Sequence, residues 1–205
     1  MKPSKFPGHL VIGVTGTIAS GKSTACHYLA LEKGAKWIDA DLVARRVVSD
    51  MAEKLAELFG PEILRDNGDV DRKALGAVVF GDPEKLALLN QTVHPETCRR
   101  IGEMIENAPE RLVVVEAIEL LRSDLARMID TVWVVWAPPM IRIRRMMETR
   151  ALTEEEAAAR VVSQLDDEAY RAQADVVIAS EGDVSELTEQ IDRALEAWQP
   201  WIQES

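Results

Sequence analysis

Eight residues, Gly16-Thr17-Ile18-Ala19-Ser20-Gly21-Lys22-Ser23, decide the fold of this chain. They fit the phosphate-binding pattern of a glycine, four residues and Gly-Lys-Ser. Residues 10–14 before them form an apolar, β-branched run that predicts a buried strand, and residues 24–31 after them predict a helix. A strand, a glycine-rich turn and a helix are the setting in which this pattern binds phosphate, so an incidental lysine in a glycine-rich turn is disfavoured.

The residue types in this loop suit the phosphate chain of a nucleotide. Gly16 and Gly21 let the backbone come close to a phosphate, and successive N–H groups form an anion cradle at a helix N-terminus. Lys22 is expected to reach the β- and γ-phosphates, and the hydroxyl of Ser23 to ligate Mg²⁺. ATP and Mg²⁺ are therefore the expected cofactors, and the expected ATP contacts run from Gly16 through Thr24.

The composition indicates a globular protein of the cytoplasm. The chain has 205 residues, of which 47% are hydrophobic and 29% charged, enough for a sizeable core. Its formal net charge of −11 disfavours a nucleic-acid partner, because a phosphate backbone would be repelled. The sequence has neither a secretion signal nor the run of roughly 18 apolar residues that a membrane span needs. We expect no membrane partner, and the sequence leaves the oligomeric state open.

Five apolar segments predict buried parallel strands, at residues 10–14, 36–39, 112–116, 132–136 and 176–179. Helical stretches separate them, an alternation typical of a parallel sheet covered on both faces. The predicted fold class is α/β, a three-layer P-loop NTPase fold whose five-stranded parallel sheet carries two helical insertions. Residues 1–41, 109–137 and 172–205 are assigned to the nucleotide-binding core, residues 42–108 to a helical substrate domain and residues 138–171 to a lid.

The two insertions carry helix signals of their own. Residues 52–59 have apolar side chains at helical spacing and end at Gly60-Pro61. Asp82-Pro83 and His94-Pro95 both predict helix starts, because a capping side chain precedes a proline. In the lid, residues 142–150 form an arginine-rich helix, and Thr153 opens another with a capping box. Arginines concentrated in so acidic a protein suggest a lid over phosphates.

Three carboxylates lie at the carboxyl ends of predicted strands, the edge where α/β sheets bind ligands. Asp39 and Asp41 follow the second strand, and alternation along a strand would point both side chains toward the crevice. Either carboxylate could orient or deprotonate an attacking hydroxyl, or hold Mg²⁺. The alternative, for Asp41 above all, is capping of the next helix. Glu116 ends the third strand and is a further candidate to orient a metal ion.

Other polar side chains have two readings. At least one lid arginine is expected to neutralise charge on the transferred phosphoryl group, although for any single arginine a solvated helix face is the alternative. His94 is equally consistent with capping a helix and with touching a substrate. The chain lacks Asn-Lys-x-Asp, and no Asp-x-x-Gly follows the third strand, which argues against a GTPase. A small kinase that moves the γ-phosphoryl group of ATP to a small-molecule hydroxyl fits better.

The chain resembles the dephospho-CoA kinase family over nearly its whole length. Beyond the loop, the most specific match is Asp39-Ala40-Asp41 followed by Ala44-Arg45, and further matches lie at residues 59–60, 67–75, 79–80, 94–95, 153–164 and 174–178. The resemblance implies that ATP phosphorylates the ribose 3′-hydroxyl of dephospho-CoA, the last step of coenzyme A synthesis. It implies that Asp41 is the base and that the helical insertion holds the CoA moiety. It also makes Asp39, Arg72 and His94 candidates for substrate binding.

The chain also departs from this family. Thr17 and Ala19 stand where the family usually has glycine, which predicts a less flexible loop. After the third strand the family tends to read Asp-x-Pro-Leu-Leu-Phe-Glu, whereas residues 116–122 here lack the proline and the closing acid. An asparagine that often follows the fifth strand is Ser180 here.

The lid arginines depart from the family spacing as well. Arg145 and Arg150 are five residues apart, and Arg145 is favoured as the catalytic lid arginine because it keeps its distance to the helix at Thr153. Two alternatives stay open at this point. One is another small-molecule or nucleotide P-loop kinase, and the other is a nucleotide-binding protein without transfer activity.

Overall fold

The computed structural model describes residues 4–163 and 167–198 of the chain. The contacts between residues divide it into two compact units. The first, here called the sheet unit, comprises Met1–Asp39 and Ile105–Ser205, and the second, the helical unit, comprises Ala40–Met104.

The sheet unit contains five parallel strands, as the sequence predicts. They are β1 (Leu10–Thr15), β2 (Lys36–Asp39), β3 (Leu112–Glu116), β4 (Thr131–Trp136) and β5 (Val176–Ala179), in the spatial order β2-β3-β1-β4-β5. All six residues of β1 are buried, because this strand lies in the middle of the sheet. The register pairs Glu116 with both Val14 and Asp39, so the carboxyl ends of β1, β2 and β3 meet at one edge.

Helices complete the sheet unit. They are α1 (Lys22–Glu32), α6 (Pro139–Arg150), α7 (Glu154–Val162), α8 (Asp167–Arg171) and α9 (Val184–Glu196). The predicted capping box at Thr153 is confirmed, since its hydroxyl accepts from the Glu156 N–H and the Glu156 carboxylate accepts from the Thr153 N–H. On α9, Leu187, Ile191 and Leu195 are buried in the core that also holds strand residues of β1, β3 and β4. Of the helices within the described residues, none combines the length and hydropathy that a bilayer span requires.

The helical unit has a separate apolar core. Its helices are α2 (Ala40–Asp50), α3 (Ala52–Phe59), α4 (Arg72–Val79) and most of α5 (Pro83–Glu106). As predicted, α3 ends before Gly60-Pro61 and α5 begins at Pro83, where the Asp82 carboxylate accepts from the N–H groups of Glu84 and Lys85. The buried core residues are Val47, Leu55, Phe59, Ile63, Val70, Leu75, Val79 and Val93.

The predicted helix start at His94-Pro95 is wrong, because α5 runs through both residues. Pro95 has no N–H group to donate a hydrogen bond to the carbonyl four residues earlier, and a helix boundary at this residue was predicted for that reason. The apolar side chains Leu86, Leu89 and Val93 nevertheless follow one helical face and pack against the core of the helical unit. Burial of this face holds the helix together across the proline.

Candidate active site

The loop between β1 and α1 needs glycine at two positions. Gly16 and Gly21 have φ angles of 145° and 103°, which favour glycine. A Cβ atom at Gly16 would lie 2.1 Å from the carbonyl oxygen of Val135, and one at Gly21 would lie 2.7 Å from Ser180 Oγ. Close packing against backbone therefore requires glycine at position 16, and backbone conformation favours glycine at both positions.

Ala19 adopts a left-handed conformation inside the same loop, with φ 58°. This is one of the two positions at which the resemblance to the family leads us to expect glycine. An L-residue with a Cβ pays roughly 1 kcal/mol or more in this region of conformational space. The loop thus keeps a backbone shape suited to glycine and carries the strain of an alanine.

Lys22 is buried and bound to the loop itself. Its Nζ donates to the carbonyl oxygens of Gly16 and Thr17, each at 2.9 Å. Both acceptors lie at the start of the loop, so the ammonium group lies within the loop. A cation placed there complements a chain of phosphate charges.

Ser23 and Glu116 form a second polar pair at the same edge of the sheet. Ser23 Oγ donates to Glu116 Oε1 at 2.9 Å, and Glu116 is only 9% exposed. Burial raises the pKa of the Glu116 carboxyl above its usual range. The hydrogen bond from Ser23 and the charge of Lys22 oppose this shift, while the nearby charge of Asp39 adds to it. A hydroxyl and a carboxylate side by side are oxygen ligands of the kind that Mg²⁺ prefers.

Arg145 joins α6 to the loop. Its Nη1 donates to the carbonyl oxygens of Ala19 and Ser20 at 3.3 Å, and its Nη2 donates to the carbonyl oxygen of Ser180 at 2.9 Å. Partial burial lowers the pKa of its guanidinium, which stays charged because an arginine titrates far above neutrality. Arg145 therefore ties α6 to the loop after β1 and to the loop after β5.

A cavity of about 180 Å³ lies beside this arginine. It is lined by the start of α1, by Arg145 and by the loop that joins β5 to α9: Gly21, Thr24, Arg145, Ser180, Gly182, Asp183, Val184 and Leu187. The cavity adjoins the phosphate-binding loop at Gly21 and Thr24. Sequence reasoning noted Ser180 only as a departure from the family, although its place directly after a parallel strand was a signal that it lies at the ligand-binding edge.

Three of the remaining candidates belong to the helical unit, and Asp39 is the residue before it in sequence. β2 ends at Asp39 and α2 begins at Ala40, so the prediction that strand alternation orients Asp39 and Asp41 alike is wrong. Asp41 is exposed in the first turn of α2. Arg72 is exposed at the start of α4, directly after the capping residue Asp71, and His94 is exposed in the middle of α5.

Comparisons with known proteins identify the family of this chain. The family model described as dephospho-CoA kinase matches residues 10–186. A dephospho-CoA kinase of Shouchella clausii (strain KSM-K16) is 38% identical over 190 residues, which cover 90% of this chain and 96% of the relative. The crystal structure of TT1252 from Thermus thermophilus superposes with a TM-score of 0.83 at 34% identity, covering 93% of this chain and 97% of that one. Dephospho-CoA kinase from Campylobacter jejuni gives a TM-score of 0.62 at 27% identity and covers the same shares. The chain belongs to the dephospho-CoA kinase family.

Proposed function

We propose that this chain transfers the γ-phosphoryl group of ATP to the ribose 3′-hydroxyl of dephospho-CoA, giving coenzyme A and ADP. The observation that carries the proposal is the pairing of Lys22 with the loop and of Ser23 with Glu116, in a chain of this family. Phosphoryl transfer depends on positioning and on neutralising charge, and these groups supply both at the carboxyl edge of a parallel sheet.

The sheet unit would hold the phosphate chain of ATP. Backbone N–H groups of residues 16–24 would bind the phosphate oxygens, and Lys22 would exchange its bonds to backbone carbonyls for bonds to the β- and γ-phosphates. Ser23 would ligate Mg²⁺, with Glu116 and Asp39 as the acids beside it. When bound, Mg²⁺ neutralises charge that develops on the phosphate oxygens.

The cavity beside Arg145 would receive the nucleoside of ATP. It adjoins the phosphate-binding loop at Gly21 and Thr24, so a nucleotide that fills the loop extends into it. Three N–H groups of Arg145 already bind carbonyl oxygens, which leaves part of the planar guanidinium for a phosphate oxygen. Arg145 would thereby stabilise the transferred group while it keeps the lid region attached to the loop.

The acceptor side of the reaction is assigned from the resemblance. Asp41 would accept the proton of the 3′-hydroxyl as the hydroxyl attacks the γ-phosphorus. Residues 42–108 would hold the CoA moiety as a substrate domain, with Asp39, Arg72 and His94 among the contacts. Residues 138–171 would act as the lid. We also place the enzyme in the cytoplasm, on its composition.

An acceptor-dependence assay tests the proposal. ADP release is measured with ATP and Mg²⁺, first without an acceptor and then with dephospho-CoA, adenosine, a nucleoside monophosphate or shikimate. Among these acceptors, we expect only dephospho-CoA to give fast ADP release. Phosphorus NMR of the product should show the new phosphate at the ribose 3′ position. Lys22→Ala serves as the inactive control, with turnover lowered about 10²–10³-fold. Faster release with another acceptor would assign a different kinase activity, and ATP binding without release on any acceptor would assign a binding protein.

A further inference from the structure

The backbone after β3 is held by two side chains that are distant in sequence. Its residue Ile118 stands where the family pattern has a proline. The carbonyl oxygen of Ile118 accepts hydrogen bonds from Thr15 Oγ1 and from the phenol of Tyr170, each at 3.1 Å. A carbonyl oxygen has two lone pairs, so both bonds form at once.

Both donors are well placed to act on this backbone. Thr15 ends β1 directly before the phosphate-binding loop and is fully buried, and Tyr170 of α8 is 7% exposed. Burial raises the pKa of the Tyr170 phenol, which therefore keeps its proton and remains a donor. The guanidinium of Arg171 lies over the ring of Trp136 at 4.9 Å. The short helix α8 is thus attached both to the segment after β3 and to the end of β4.

The held backbone carries the acid of the candidate metal site. Ile118 follows Glu116 by two residues, and Glu116 accepts the hydrogen bond from Ser23. A proline at position 118 would fix its own φ angle, whereas isoleucine leaves that angle to its surroundings. Side-chain hydrogen bonds to the carbonyl of Ile118 can supply the missing restraint.

We infer that Tyr170 is a positioning residue for phosphoryl transfer, whose hydroxyl holds the Ile118 carbonyl and thereby keeps Glu116 in place beside Ser23. The inference rests on the metal role proposed above for Ser23 and Glu116. Tyr170 does not touch the reacting atoms in this scheme. Its effect appears in the part of ATP binding that depends on Mg²⁺, because that part uses the Ser23–Glu116 pair.

The chain offers a matched pair of variants, since it has only two tyrosines. Tyr170→Phe removes the hydroxyl that binds Ile118, and Tyr28→Phe removes a hydroxyl that donates to Asp192 between α1 and α9. The dissociation constant of ATP is measured by calorimetry in Mg²⁺ and in EDTA, and their ratio gives the gain due to Mg²⁺. We expect Tyr170→Phe to reduce this gain about 3- to 10-fold, the effect of one lost hydrogen bond, and Tyr28→Phe to leave it unchanged.

Two further measurements distinguish a positioning role of Tyr170 from a general loss of stability. In a Glu116→Gln background the effect of Tyr170→Phe on the Mg²⁺ gain should vanish, because both changes act on the same pair. Amide hydrogen exchange of residues 117–122 should speed up in Tyr170→Phe and not in Tyr28→Phe.

The outcomes distinguish the inference from the proposal beneath it. An unchanged Mg²⁺ gain in Tyr170→Phe, with a reduced gain in Glu116→Gln, overturns the role of Tyr170 alone. An unchanged gain in Glu116→Gln overturns the metal role of Glu116 and this inference together. Equal losses in the two tyrosine variants would show a general effect on stability and would also overturn it.

Discussion

The sheet unit and the helical unit differ in where they place strained backbone. Among the residues that the structure describes, the non-glycine positions with positive φ are Ala19 and Ala151, and both belong to the sheet unit. In the helical unit positive φ falls on Gly60 and Gly68. Strained conformations persist where surrounding structure over-determines them, and they collect at ligand sites. The strain therefore marks the unit that carries the phosphate-binding loop.

The charged side chains at the loop of the sheet unit are held differently from an ion-pair cluster of the helical unit. In the sheet unit, the charged groups Lys22 and Arg145 bind backbone carbonyl oxygens, which fixes them to the loop. In the helical unit, Glu96 pairs with Arg99 and Arg100 on an exposed surface. Side chains bound to buried backbone keep one position, whereas exposed ion pairs are screened by solvent. Lys22 and Arg145 are therefore held in place at the loop before any ligand binds.

The largest effect is expected from Asp41→Asn, at the start of the helical unit. If Asp41 is the general base, turnover should fall about 10²–10⁴-fold while the affinity for ATP stays unchanged, because all the proposed ATP contacts belong to the sheet unit. Steady-state kinetics and calorimetry check the two quantities. Asp50→Asn on the same helix is the control, since it removes an exposed ion pair with Arg100 and should leave turnover near that of the parent. Near-normal turnover in Asp41→Asn would remove this carboxylate from the mechanism.

A smaller effect is expected from relief of strain in the sheet unit, and it is a gain in stability. Ala19→Gly and Ala151→Gly should each raise the free energy of unfolding by about 1 kcal/mol, because glycine adopts positive φ without a steric penalty. For a chain of this length that raises Tm by about 2–4 °C. Ala159→Gly, within the exposed face of α7, should instead lose about 1 kcal/mol. A loss of stability in Ala19→Gly would mean that the loop is not strained at this residue.

Much of the sheet unit could be predicted from the sequence. The bounds of β2, β3 and β5 agree with prediction, and β1 and β4 each differ by one residue, because apolar, β-branched runs between helical stretches leave little choice. The phosphate-binding loop could also be predicted, because the geometry of the loop favours glycine at fixed positions. Caps at Asp82 and Thr153 followed from local hydrogen bonding alone.

The contacts that shape the site could not be predicted in this way. The bond from Ser23 to Glu116 joins residues 93 apart in sequence, and the bond from Tyr170 to Ile118 joins residues 52 apart. A single sequence contains no local signal for such pairs. The helix start at His94-Pro95 failed for a related reason: the proline is a local signal, and tertiary burial of the α5 face outweighed it.

The smallest effect expected concerns the ion pairs of the helical unit, and it is present near neutral pH and lost in acid. Hydrogen bonds from Arg99 and then Arg100 lower the pKa of Glu96 to about 2. A carboxyl whose pKa is lower in the folded chain stabilises the fold above its unfolded pKa, about 4.3, and this contribution is lost as the pH falls toward 2. Glu96→Gln should therefore show a shallower loss of unfolding free energy between about pH 5 and pH 2 than the parent. Arg99→Gln should make the pH dependence of the unfolding free energy shallower to a lesser extent. High salt should reduce the difference between each variant and the parent.

The tryptophans allow this change to be assigned to one unit. All five lie outside residues 40–104, and four of them lie in the described part of the sheet unit, so tryptophan fluorescence reports on that unit, whereas circular dichroism follows the helices of both units. If the changed pH dependence of Glu96→Gln is confined to the helical unit, it should appear in the unfolding transition followed by dichroism and not in the one followed by fluorescence. Coincident transitions would mean that the two units unfold together. Parallel pH curves for parent and Glu96→Gln would show that these exposed pairs contribute nothing to stability, in contrast to the buried polar bonds of the sheet unit.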